Sequence, residues 1–155
     1  MQALLAIQAG RPLAKSDLLP RDRDGFIAAR DRSGFPRGSR HELISVGLIR
    51  QNPALLNGAS GAGARDLDLV SHLIGTHHGY ARPFAPIISD DADVPIKLDN
   101  PPLSGISRHG LEGLGSGWTD QFWLLVQRYG YWGLCYLESI LRIADHRQSQ
   151  EEQES

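Results

Sequence analysis

The sequence predicts an all-α fold: a helical bundle interrupted by one long irregular loop. Three observations predict it. Apolar residues recur at helical spacing in at least three segments, no segment alternates long enough to count as a strand, and the tract 79–117 is rich in proline and glycine with no periodicity. With 155 residues the chain suffices for a single domain with one core.

The elements follow in order. MQALLAIQAG (1–10) reads as a short helix closed by Gly10, and 11–39 as a charged, variable lead-in with a short helical turn near Phe26–Arg30. FPRGSR then leads into a helix over about His41–Gln51. Leu43, Ile44, Val46, Leu48 and Ile49 supply its apolar positions, Glu42, Arg50 and Gln51 its polar side, and Asn52-Pro53 ends it. NGASGAGA (57–64) is a small-residue linker. A second helix over about Arg65–His77 carries Leu69, Val70, Leu73 and Ile74 and stops at Gly79. Val94–Leu98 is too short and isolated to read as a strand. Thr119 is suited to cap a helix over Asp120–Tyr129, and Gly130 and Gly133 mark a break. Leu134, Leu137, Ile140, Leu141 and Ala144 stripe the last helix, and a frayed acidic tail follows.

Bulk properties narrow the function. The formal net charge of −2 excludes a protein that coats duplex DNA by charge alone. No apolar run is long enough to cross a bilayer, so no membrane partner is expected. The single cysteine, Cys135, cannot form an internal disulfide, which fits a reducing cytoplasm.

The six histidines carry the chemistry. His77 shares the inward face of its helix with Leu73 and Ile74. His78 points about 100° away on an ideal helix, and both can reach one cation if the backbone turns at Gly79. Asp145 follows Leu141 by four residues, so helical spacing sends its carboxylate toward the core, where it needs a cation, a metal or several donors. His41 starts an apolar helix. Glu42 beside it reads as a solvated side chain, and Ser45 is placed to orient His41. Each residue alone has an ordinary structural reading. Together His41, His77, His78 and Asp145 form a set suited to Mn, Fe, Co, Ni or Zn, which can activate water and polarise a phosphoryl oxygen. His72 reads as a surface or supporting residue, His109 as a mobile loop residue and His146 as solvent-facing. Arg82 and Lys97 are candidate phosphate contacts. Trp118, Trp123 and Trp132 could stack on bases, although core packing is expected for at least two of them.

The segments RHELIS (40–45), GTHHGYARP (75–83) and YGYWGLCYLESILRIADHRQS (129–149) together resemble the HD nuclease domain of the CRISPR type I interference helicase-nuclease. The resemblance spans about residues 40–149. It implies an HD-domain-like helical bundle around one or two divalent transition ions, acting on single-stranded DNA with a helicase domain and a guide-RNA effector complex as partners. It implies that His41, His77 and His78 hold one metal, that Asp145 helps to hold the other, and that Ser149 follows as a supporting residue. The family's early histidine and His-Asp dipeptide have no counterpart here, since no histidine precedes position 41. The chain is therefore expected to start downstream of that dipeptide, with 1–39 variable, 40–149 family-like and 150–155 a tail, and to be weak or inactive alone. An HD-superfamily nucleotide phosphohydrolase and a non-catalytic helical interaction module are the alternatives.

Overall fold

A computed structural model describes residues 23–32, 35–36, 39–57, 66–88, 93–99 and 102–154. Among these residues four α-helices dominate: α1 (Arg23–Arg32), α2 (His41–Gln51), α3 (Leu67–Thr76) and α4 (Trp118–Glu154). A 3-10 turn (Pro53–Asn57) follows α2, and strands β1 (Pro95–Asp99) and β2 (Pro102–Ile106) form a hairpin. The chain is thus mostly helical, as expected, but not all-α. The expected helix at 1–10 and most of the 57–64 linker lie outside the described residues.

The centre of the fold is α2, which is apolar on two sides. Leu43 and Val46 pack with Ile74, Ala81, Ala85, Leu111 and Trp118. Ile44 and Leu48 pack instead with Phe35, Val94, Ile96 and Leu103. A helix buried on both flanks carries apolar residues around most of its circumference, as the run LISVGLI does.

The second face accounts for the hairpin. Ile96 of β1 is buried against Ile44 and Leu48, while β1 and β2 run antiparallel with Ile96 opposite Gly105. The Gln51 side chain accepts from the Ile106 N–H and donates to the carbonyls of Ile106 and Arg108. The Asn52 amide donates to the Ser104 carbonyl at 2.9 Å. Two polar residues at the end of α2 therefore latch a sheet too short to be stable alone.

Helix α3 is held at both ends. Asp66 caps it by accepting from the Leu69 N–H at 3.0 Å, and its other oxygen accepts from Tyr129 at 2.6 Å and Arg128 at 2.5 Å on α4. Near its C-terminus Gly75 lies against Trp118: a Cβ at position 75 would stand 2.6 Å from the indole Cη2. Trp118 is only 2% exposed, and its N–H donates to the Ala81 carbonyl at 2.8 Å, so the ring has no room to retreat. Gly75→Val is expected to lower stability by about 2–3 kcal/mol through overpacking, measurable as a lower urea midpoint.

Helix α4 differs from expectation at its start and end and agrees with it in the middle. It begins at Trp118, whose N–H is accepted by Ser116 Oγ, while Thr119 Oγ1 donates to the Pro83 carbonyl. Gly130 has non-helical angles (φ 72°, ψ 161°), so two helices meet at the expected break. The tail, expected to fray, remains helical through Glu154. Beyond the break Leu134 and Glu138 are buried and Leu137, Leu141 and Asp145 half-buried, whereas Ile140 and Ala144 of the expected stripe are exposed. No helix among the described residues is long and apolar enough to cross a membrane.

Candidate metal centre

His41 stands at the first position of α2, and His77 and His78 at the end of α3. There His77 keeps right-handed angles (φ −58°, ψ −22°) and Gly79 turns the chain with φ 83°. The Gly79 N–H donates to the Thr76 carbonyl at 2.6 Å and fixes that turn. Because α2 and α3 pack through the core around Leu43 and Val46, the three imidazoles meet above it.

Ligand nitrogens of His41, His77 and His78 all lie within 4.8 Å of one another. The Nε2 atoms of His41 and His78 are 3.0 Å apart. Nitrogen ligands at ~2.1 Å from an ion and at angles of ~90–109° stand roughly 3.0–3.4 Å apart. That pair already has the separation that one cation requires. The His77 and His78 rings are 4.1 Å apart between centroids.

Neighbouring groups set which nitrogen is free. His77 Nδ1–H donates to the Ile74 carbonyl at 2.6 Å, leaving the Nε2 lone pair for a ligand. His41 Nδ1 is 3.4 Å from Glu42 Oε2, so the carboxylate favours the proton on Nδ1 and the lone pair on Nε2. This is the arrangement by which outer groups orient metal-binding histidines. Ser45 does not take that role: its hydroxyl donates to the His41 carbonyl at 2.7 Å rather than to the ring.

Glu42 corrects another expectation, since it is buried at 2% exposure rather than solvated. Burial alone would raise its carboxyl pKa. Its own backbone N–H, His41 and Arg40 more than offset this, so the carboxyl titrates below its ordinary value. Arg40 donates to Glu42 at 3.2 Å and stacks on Tyr80 at 3.6 Å.

Desolvation first, with the neighbouring His78 and His77 adding to it and the Glu42 charge opposing it, lowers the His41 pKa to about 4. His78 is lowered by burial first and then by His77. Both rings are therefore neutral at pH 7, the form that binds a metal. A lowered folded-state pKa means the folded chain takes up fewer protons than the unfolded one below the ordinary value of 6.5. Metal-free stability should accordingly fall as pH drops from about 6.5 towards about 4. Denaturant midpoints across that range check this, and His41→Asn should flatten the profile.

Asp145 contributes no atom to the three-histidine group. It is half-buried on α4, and its charge raises the pKa of His78 from there. The side chain of Ser149 lies outside the described residues.

Two other histidines are reassigned by burial. His72, expected at the surface or in support, is 1% exposed, and its Nε2 is 2.7 Å from Glu138 Oε1. The second Glu138 oxygen accepts from Arg82. This triad joins α3, the following loop and α4, with Arg82 and Glu138 lining the same cleft as His77, and Glu138 was not singled out by sequence. Its signal is position: four residues after Leu134 and three before Leu141, on the inward face. The side chain of His109, expected to be a mobile loop residue, is 3% exposed. Its Cβ packs over Gly47, and its Nδ1 accepts from the Leu111 N–H, so its 3.1 Å approach to Glu112 is not a hydrogen bond through that atom. His146 is exposed, as expected. Of the tryptophans only Trp118 is buried; Trp123 is 43% and Trp132 89% exposed, because the outer face of α4 is bare of described partners.

Comparison with protein-family models, with curated proteins and with solved structures finds no match to this chain.

Proposed function

We propose that this chain is a metal-dependent phosphodiesterase domain of HD type, acting on single-stranded DNA. The observation that carries the reading is the convergence of His41, His77 and His78, with nitrogens within 4.8 Å and two rings oriented by outer groups. A divalent transition ion, of the Mn, Fe, Co, Ni or Zn class, fits this donor set and would supply Lewis-acid chemistry toward a phosphoryl oxygen. The protein's own groups turn the imidazoles, Glu42 beside His41 and the Ile74 carbonyl beside His77, while desolvation keeps His41 neutral against the charge of Glu42.

The choice of single-stranded DNA, of a helicase domain and guide-RNA complex as partners, and of a cytoplasmic setting rests on the resemblance of RHELIS, GTHHGYARP and the 129–149 block to the CRISPR HD nucleases. Among the described residues no carboxylate joins the ligand group, which suits a one-ion half-site with low activity. The test is hydrolysis of single-stranded DNA and of nucleotide phosphoesters with Mn or Ni. Slow, metal-dependent cutting of DNA that His77→Ala abolishes supports the reading. Efficient hydrolysis of nucleotides without DNA cutting favours the nucleotide phosphohydrolase, and failure to bind any transition metal overturns both.

One observation favours a non-catalytic interaction module: α4 exposes Trp132 at 89% and Tyr136 at 67%. That reading expects no bound transition metal and no change in partner binding on His77→Ala.

A further inference from the structure

A cleft of about 260 Å³ opens beside His77. Thr76, His77, Gly79, Arg82, Glu138 and Arg142 line it. One wall is therefore the candidate metal centre itself, through His77, and the other is the inward edge of α4.

The charges on these walls do not cancel. Glu138 is 7% exposed, and its two oxygens are taken by His72 and Arg82. Arg82 and Glu138 thus neutralise each other. Arg142 forms no ion pair with a carboxylate among the described residues. Asp145, three residues along the same helix, stands near enough to act on His78 but is not paired with Arg142. A Cβ at Gly79 would lie 3.7 Å from Arg142 Nη1, so the guanidinium reaches the turn that carries His77 and His78. Its charge is felt at His78.

The hydroxyls of the cleft do not supply donors. Thr76 Oγ1 donates to the His72 carbonyl at 2.8 Å, and Ser139 Oγ donates to the Cys135 carbonyl at 2.7 Å. The donors left facing the space belong to the two guanidiniums, with Arg142 the uncommitted one. A planar fork of N–H groups carrying a full charge is the side chain best matched to phosphate oxygens.

We propose that this cleft is an anion subsite in which Arg142 binds a non-bridging phosphate oxygen of the substrate backbone next to the histidine centre. Arg142 is then a positioning residue for the phosphoryl group, with Arg82 held in place beside it by Glu138. The catalytic meaning of the subsite rests on the metal reading above, whereas its binding chemistry does not.

The experiment uses the full chain and Arg142→Gln. Arg142 is exposed, so the variant should fold, and an unchanged circular dichroism spectrum and melting temperature check that it does. Binding of a labelled thymidine oligonucleotide, with chelator present to stop cutting, and of inorganic phosphate is measured at low salt. Arg142→Gln should weaken oligonucleotide binding about tenfold, the scale of one charge-assisted hydrogen bond, and Arg142→Lys should recover part of it. Weakening of phosphate binding alone also supports the subsite, and assigns it to a terminal phosphate rather than a backbone. Wild-type affinity for both probes in Arg142→Gln, or no binding of either by the wild type, overturns the proposal. The readings fail separately: phosphate binding lost in Arg142→Gln, in a chain that fails to bind Ni in a separate chelator-free titration, would sink the metal centre alone. Metal bound with probe binding indifferent to Arg142 would sink the subsite alone.

Discussion

Replacing His77 with alanine is expected to lower the affinity for a divalent transition metal by more than about a hundredfold while leaving the fold in place. Removing a group that merely orients a ligand already costs ~10–100-fold, so losing one of three ligands should exceed that range. The fold should persist because His77 is half-buried at the end of α3 and its one described hydrogen bond goes to a carbonyl of its own helix. Its neighbours in the chain, by contrast, hold the core: Gly75 abuts Trp118, and Thr76 is buried. Calorimetric titration with Ni or Zn reads the loss, and circular dichroism reads the fold. A variant that binds metal like the wild type would show that His77 is not a ligand.

The second large effect is expected at Glu138. Glu138→Ala should destabilise the chain by about 3 kcal/mol, the lower end of the cost of breaking a buried ion pair. The lower end applies because Arg82 is 35% exposed and can turn to water when its partner is lost. His72 cannot: at 1% exposure it would keep a buried ring nitrogen without an acceptor. For a chain of this length the loss corresponds to a melting temperature lower by roughly 6–12 °C. Glu138→Gln should recover part of it, because an amide oxygen can still accept from His72 or Arg82. Thermal melts of the two variants against wild type provide the measurement. A melt of Glu138→Ala coincident with wild type would mean the triad holds nothing together.

The two predictions separate what the sequence made legible from what it did not. Helix α2 was readable to the residue, because FPRGSR and Asn52-Pro53 punctuate it at both ends and its apolar run is dense. The gathering of His41 with His77 and His78 was not readable from spacing. Residues 36 apart share no helical face, so residue chemistry and the resemblance, not spacing, joined them. Glu138 and His72 were missed for a different reason. A single charged or polar residue on a helix is ordinarily solvated; the place of Glu138 between Leu134 and Leu141 signals burial, but nothing local names a partner 66 residues away. Glu42 was misread by the same rule, with Arg40 and His41 as the partners that make its burial tolerable. The hairpin escaped because each strand has five residues and begins with proline, so its stability comes from α2 rather than from its own pattern. The outer face of α4 reversed the expectation for Trp123 and Trp132, since helical periodicity tells which residues share a face but not whether anything covers it.

The central claim is that His41, His77 and His78 form one metal centre. The most direct measurement is X-ray absorption on the metal-stripped chain reloaded with one equivalent of Ni or Zn. One tightly bound ion per chain is expected, with three imidazole nitrogens in its first coordination sphere, falling to two in His77→Ala. Failure to retain the ion, or an unchanged imidazole count when any of the three histidines is replaced, would contradict it.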